Sequence, residues 1–376
     1  MTTDLPPEAW GAALAGLPSM GASRLLALLR CWSPSEAWAH VSRGSWMRER
    51  AVVTTAGLDP SALATKWSAA AALIDVSAVW QRHVEAGVGV AALGSAAYPA
   101  PLVDDIEPPG VLFMRGDPAV ISGPRVAIVG TRDATRYGLD LAYELGRDLA
   151  AAGVAIVSGL AIGIDAAAHS GAIAAGTTAP IGVVGSGIDV IYPRRNASLW
   201  REVERRGVLL GEAPLGAAPE RWRFPARNRM IAAIADVVIV VESRDTGGSM
   251  HTVTEAERRG RTVFAAPGPV RSAASAGTNR LLRDGAHVAC DAGDVLVALG
   301  LSSALRRPLR DTRPEPTTED AAVLDAIGWS PLSLAGLAGR VPRPLGQLAL
   351  ALHRLCDQGW LVERSGWFER VARSDG

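Results

Sequence analysis

Residues Arg125 to His169 read RVAIVGTRDATRYGLDLAYELGRDLAAAGVAIVSGLAIGIDAAAH. Two short continuous apolar runs, Arg125–Gly130 and Val154–Ser158, flank a stretch, Tyr137–Ala152, with the period of an amphipathic helix. Apolar runs of that length without alternation mark strands buried on both faces. The pattern repeats downstream: Ala179–Gly185, Val208–Glu212, Asp236–Glu242, Arg261–Ala266 and His287–Cys290 predict strands, and Met250–Arg259 predicts a helix. Strands alternating with helices predict an α/β fold, a Rossmann-like, mostly parallel sheet covered on both faces. In such sheets ligands bind beyond the carboxyl ends of the strands, so the loops there are the ones to read for chemistry.

Outside this region the pattern changes. Residues 1–80 carry Ala, Leu and Trp at helical spacing with breaks at Pro18, Gly21 and Pro34, and predict a helical domain. Within it LAGLPSMGASRLLALL (Leu14 to Leu29) has the shape of a helix-hairpin-helix, as in SAM-like domains, with Ser19 where the commoner form carries Gly. A small helical domain without DNA contact is the alternative reading. The Rossmann-like domain is assigned to 81–301, a linker rich in Pro and charge to 302–317, and a winged helix to 318–376. The last rests on three helical stretches followed by the hairpin WLVERSGWFERV (Trp360 to Val371).

Composition narrows the function. The formal net charge over 376 residues is zero, and 48% of residues are hydrophobic, enough for a sizeable core. Lys66 is the single lysine, so no G-x-x-x-x-G-K-[ST] loop exists and a P-loop ATPase is excluded. No apolar run is long enough for a membrane span, and MTTDLPPEAW lacks the basic flank and apolar core of a secretory signal. Cys31, Cys290 and Cys356 are far apart, with no C-x-x-C pair, and are expected to be reduced and buried in a cytoplasmic protein. No metal and no cofactor is expected.

The loops after the strands carry the candidate chemistry. Gly130-Thr131-Arg132 offers a glycine, a hydroxyl and a charged fork at the start of a helix, an anion site. Ser158–His169 supplies a glycine-rich turn with Asp165 placed to cap the next helix and His169 expected to be packed, but G-x-G-x-x-G is absent. Between Tyr192 and Arg229 stand nine arginines against four acids. RWRFPARNRM (Arg221 to Met230) interleaves those charges with Trp222 and Phe224, as a single strand requires: charges for phosphates, rings for unpaired bases. A charged helix face with both rings in the core is the alternative. Gly247 and Gly248 before Ser249 and Thr252 read as a second phosphate cradle, and Glu242 as a group that holds a ribose or orders its loop.

YPAPL, PPGVLFMRG, VAIVGTR, SGLAIGIDAAAH, IYPRRN, FPARNR, VVESRDTGGSMHT and PGPVRSAASAGTNRLLRDGA follow one another between Tyr98 and Ala286. In order and spacing these blocks resemble the DNA-processing protein A (DprA/Smf) family. The resemblance implies a non-enzymatic protein that binds single-stranded DNA, forms a homodimer through its Rossmann-like domain, and loads the RecA recombinase onto incoming strands during transformation. It implies that Arg132 grips a phosphate while Arg221 and Phe224 hold backbone and base. The full set of DNA-binding candidates is Gly130, Thr131, Arg132, Arg194, Arg221, Arg223, Phe224, Arg227, Asn228, Arg229, Gly247, Gly248, Ser249 and Thr252.

Two rivals come from other classes. Rossmann-like phosphoribohydrolases of the lysine decarboxylase-like group carry P-G-G-x-G-T-x-x-E at a comparable turn; Thr246–Glu255 is one residue longer and lacks the proline and the third glycine. That reading needs Glu255 aimed at a ribose. The other rival is a nucleotide sensor whose winged helix binds duplex DNA, with Trp367 and Phe368 in its wing.

Overall fold

The structure, a computed structural model, describes residues 5–57, 59–301 and 313–371. Most of the linker expected over 302–317 lies outside the described residues.

Six helices come first: α1 (Pro7–Ala15), α2 (Ala22–Cys31), α3 (Pro34–Ser42), α4 (Arg50–Ala56), α5 (Pro60–Leu73) and α6 (Val76–Glu85). Their ends follow local chemistry. Ser33 and Glu36 close a capping box ahead of α3, and the Asp59 and Asp75 carboxylates accept the first amides of α5 and α6. No single described helix is long and apolar enough to cross a membrane.

The sheet then forms from β1 (Gly89–Ala92), β2 (Val111–Gly116), β3 (Arg125–Val129), β4 (Ala155–Ser158), β5 (Ile181–Val183), β6 (Val208–Gly211), β7 (Val237–Val240), β8 (Thr262–Ala265) and β9 (His287–Val288). Their spatial order is β1-β2-β6-β5-β4-β3-β7-β8-β9. The seven strands β3 to β9 run parallel, and β1 and β2 add an antiparallel edge beyond β6. Several predicted strands are shorter than their apolar runs, β5 most of all, because the flanking residues turn into the connecting loops.

Alternation along the central strands feeds two cores. Val126 and Ile128 of β3, with Val237 and Ile239 of β7, pack against α8 (Arg136–Ala151), α9 (Ile164–Ala175) and α14 (Ala292–Ala298). Ala127 and Val129, with Val238 and Val240, face the opposite layer, where α11 (Arg223–Ile234), α12 (Ser249–Arg258) and α13 (Ala276–Arg283) lie. Each Val or Leu so buried contributes about 1.5–3 kcal/mol relative to exposure. A third core joins α1–α6 to the sheet edge through Val111, Phe113, Val184 and Leu209, with Trp200 and Val203 of α10 (Ala197–Arg206). The short helix α7 (Ala100–Val103) connects β1 to β2.

Helices α8 and α9 cross at backbone distance. A Cβ on Gly146 would stand 2.2 Å from the Ala168 carbonyl oxygen, and one on Gly171 2.0 Å from that of Tyr143. The crossing fixes where both helices begin, and so where the loops before them sit.

Past residue 313 come α15 (Thr318–Ile327), α16 (Leu334–Ala338) and α17 (Leu345–Asp357), with a three-stranded antiparallel sheet of β10 (Leu332–Ser333), β11 (Leu361–Arg364) and β12 (Trp367–Arg370). The cysteine expectation needs correction. Cys31 and Cys290 are exposed and Cys356 is half-buried, all three free, because each lies at the end of a helix or strand rather than inside one of the cores.

Candidate nucleic-acid interface

The parallel sheet reverses its winding between β3 and β7, which places the crevice of this fold above those two strands. Here the crevice is already filled. The Glu242 carboxylate, just past β7, accepts the Thr135 amide at 2.9 Å and the Thr135 hydroxyl at 2.6 Å, at the N-terminus of α8. The Thr131 amide donates to the Glu242 carbonyl at 2.8 Å, and a Cβ on Gly138 would collide with the carboxylate at 2.3 Å. A helix N-terminus that elsewhere receives a phosphate here has its capping residue bonded to an internal acidic side chain. Glu242 orders the loop; it is not placed to hold a ribose.

The accessible chemistry lies beside this plug, toward β4 and β5. Arg132 is exposed, with its guanidinium 5.3 Å from the centroid of the Phe224 ring. Tyr192 meets the same ring at 5.4 Å and 36°. The β4–α9 loop is bound into the same surface, since the Ile164 amide donates to the Thr131 carbonyl at 3.3 Å and the Asn196 side-chain amide to the Leu160 carbonyl at 3.0 Å. A cavity of about 630 Å³ opens here, lined by Arg132, Gly163, Ser170, Arg195 and Asn196 among others. Arg194 and Arg221 are exposed nearby in the chain. Permanently charged forks beside flat rings suit a flexible polyanion that bears aromatic groups.

Beneath the loop the polar groups are internal. Asp165 accepts the Gly159 amide at 3.1 Å; the N-cap of α9 is Gly163, so Asp165 holds the loop from within the first turn and does not cap the helix. Burial pushes the Asp165 carboxyl up, against the pull of Arg227. Burial likewise pushes the Arg227 guanidinium down to about 10, with Asp165 opposing. His169 is wholly buried, and burial pushes its imidazole down to about 4 from 6.5. A base so depressed protonates first in the unfolded chain. Its contribution to stability is therefore lost as pH falls from 6.5 through about 4, on the order of 3 kcal/mol in all. Thermal melts at about pH 7.5 and about pH 5 should show a smaller acid loss for His169→Leu than for the parent chain; equal losses would remove His169 as a cause.

Several sequence candidates are corrected. Arg227 and Arg229 are each only 6% exposed and cannot meet a phosphate as the chain stands. Arg227 donates to the Val183 carbonyl, while Arg229 pairs with Glu212 and donates to the Glu107 carbonyl. Two residues apart, they leave α11 on different sides, Arg227 toward the end of β5 and Arg229 toward Glu212 past β6 and the loop ahead of β2, and their acceptors stand at distant positions in the chain. Burial pushes the Glu212 carboxyl up, and Arg229 holds it back. The Asn228 amide is spent on the Gly248 carbonyl at 3.3 Å, Ser249 donates to the Ser243 hydroxyl at 2.8 Å, and Thr252 is buried. The Gly247–Thr252 turn is thus a packed joint, with Gly247 tied to the Arg244 carbonyl, and of its four candidate residues only Gly248 is exposed. Nor are all nine arginines of that stretch open to a phosphate, since Arg205 and Arg206 both pair with Glu202 on α10. Tyr192, Arg195 and Asn196, absent from the candidate set, belong to the surface; their signal was the IYPRRN block itself.

The profile of the family described as DNA recombination-mediator protein A matches residues 89–300. The putative DNA processing protein DprA of Mycobacterium tuberculosis (strain H37Rv) is 34% identical over 404 residues, covering 98% of each chain. The X-ray structure of DNA processing protein A from Streptococcus pneumoniae superposes with a TM-score of 0.64 at 28% identity, over 78% of this chain and 98% of that one. That of the Helicobacter pylori protein, which describes its single-stranded DNA binding mode, gives 0.51 at 30% identity, over 56% and 95%.

Proposed function

The chain belongs to the DNA recombination-mediator protein A (DprA/Smf) family, and from that premise we propose that it binds single-stranded DNA without cleaving it and passes the strand to the RecA recombinase. The strand crosses the carboxyl ends of β3, β4 and β5. Arg132, Arg194, Arg195 and Arg221 follow the phosphates, and Phe224 with Tyr192 takes a base. The observation that carries this reading is Arg132 lying over Phe224 at 5.3 Å, exposed, beside a crevice whose own phosphate position is occupied by Glu242. Gly130 and Thr131 shape the turn that presents Arg132.

In this reading the protein works in the cytoplasm as a homodimer, two sites sharing one strand and gaining from effective concentration. Residues 1–80, 81–301 and 318–376 act as helical, strand-binding and winged-helix domains. No observation favours the hydrolase: Glu255 is held by Arg258 at 2.9 Å and by Arg259, so its carboxylate is already paired.

Phe224→Ala should weaken binding of a labelled oligonucleotide by about 1–3 kcal/mol while leaving the salt dependence almost unchanged, because a stacking contact releases no counterions. Parent-like affinity in that variant would mean that the ring serves packing alone.

A further inference from the structure

Beyond Phe224 the surface continues toward the N-terminal helices. A Cβ on Gly185 would lie 3.2 Å from the Phe224 ring and 3.4 Å from the Arg223 carbonyl oxygen. Gly185 also lines a cleft with Trp222, Arg223, Ala213, Met20 and Ala22. The ring that Arg132 covers therefore stands next to Gly185, which also lines a cleft walled by the turn between α1 and α2.

Trp222 is 53% exposed, and the Arg223 guanidinium lies 4.5 Å from its ring centroid. That is half of a stacking sandwich: one face held by a cation, much of the remaining indole open to solvent. The opposing wall is rigid. Ser19 adopts a left-handed conformation (φ 62°), its hydroxyl accepts from Lys66 at 3.0 Å and its carbonyl from Arg24 at 2.6 Å. The Trp67 indole donates to the Pro18 carbonyl at 3.0 Å. Glu220 accepts from the Trp222 indole and pairs with Arg223 at 3.8 Å, so a phosphate is disfavoured immediately beside the ring and a neutral base is not. The cleft, about 50 Å³, is too small to enclose a base, which would lie across its mouth on the indole.

We propose that Trp222 is a second stacking platform, taking a base of the same single strand beyond the one at Phe224, with the Met20–Ala22 turn of the N-terminal helices as its wall. The inference rests on the single-strand reading above. It extends the path from the Rossmann-like sheet onto the helical region, where the sequence left DNA contact open.

The test uses the full chain and labelled oligothymidylates of about 4 and about 16 nucleotides, the span of site sizes for one single-strand module. Trp222→Ala should weaken the long oligonucleotide about tenfold and leave the short one unchanged, and Trp222→Phe should restore most of the loss. Equal binding by parent and variant at both lengths overturns the proposal, as does an equal loss at both, which would assign Trp222 to the first position. Arg132→Ala in the same titrations separates the two readings. If it weakens both lengths while Trp222→Ala weakens neither, only the second platform fails; if it weakens neither, the primary path is misplaced.

Discussion

Replacing Arg229 by Met is expected to cost the fold about 3–5 kcal/mol, because it leaves the Glu212 carboxylate buried without its counter-charge. The loss should depend on pH in a definite direction. A carboxyl whose native pKa is raised holds its proton more tightly in the folded state, so the stability tied to it is present at low pH and is lost as pH rises through the native value. Removing Arg229 raises Glu212 further, so the deficit in denaturant unfolding should be larger at about pH 8 than at about pH 5. A Glu212→Gln/Arg229→Met double variant should recover part of it, since no charge is then stranded. The folded fraction should bind DNA with the parent's salt slope. A variant that unfolds like the parent yet binds with a flatter salt slope would show that Arg229 reaches a phosphate after all.

Arg132→Glu is the complementary case, a large effect on binding with a small one on folding. Arg132 is exposed and sits over Phe224 with no carboxylate within ion-pair distance among the described residues, and its pull on the buried Asp165 carboxyl is weaker than that of Arg227, so reversing its charge breaks no ion pair. Against a polyanion the new charge repels where the old one attracted. Affinity for a labelled single strand should fall about a hundredfold, about 2.8 kcal/mol. The slope of log affinity against log salt should lose at least the roughly 0.7 that one phosphate contact contributes for single strands. Circular-dichroism melts should stay close to the parent's. Unchanged affinity across two salt concentrations would move the strand's path away from the β3 turn.

These two arginines show where sequence was informative and where it was not. The strands were legible because Val126 to Val129 and Val237 to Val240 sit in a sheet covered on both faces, and nothing but apolar runs survives there. The α8 helix was legible from its period, and Arg132 from standing just past a strand end. Arg229 looked like part of the same basic cluster as Arg221. Charged residues are rarely buried unless paired, and its partner, Glu212, stands 17 residues away in a strand-end loop that no local pattern links to α11. Asp165 and Arg227 fail for the same reason: their relation exists only once β4, β5 and α11 are assembled. The Gly247–Thr252 turn misled differently. Glycines before hydroxyls read alike whether the hydroxyls face solvent or, as with Ser249 and Ser243, each other.

The Glu242 plug bears on how such a protein behaves in a crowded metabolic background. A Rossmann crevice left open would be contested by every abundant mononucleotide and dinucleotide in the cell. A carboxylate tethered by the chain competes at an effective concentration that free metabolites do not match. With the pocket stoppered from inside, only the outer arginines and rings stay on offer. A single phosphate gains little from them, while a long strand touching many at once gains a great deal. On the proposed strand path, the internal acid would act as a filter for length, separating polymer from monomer before any base is read.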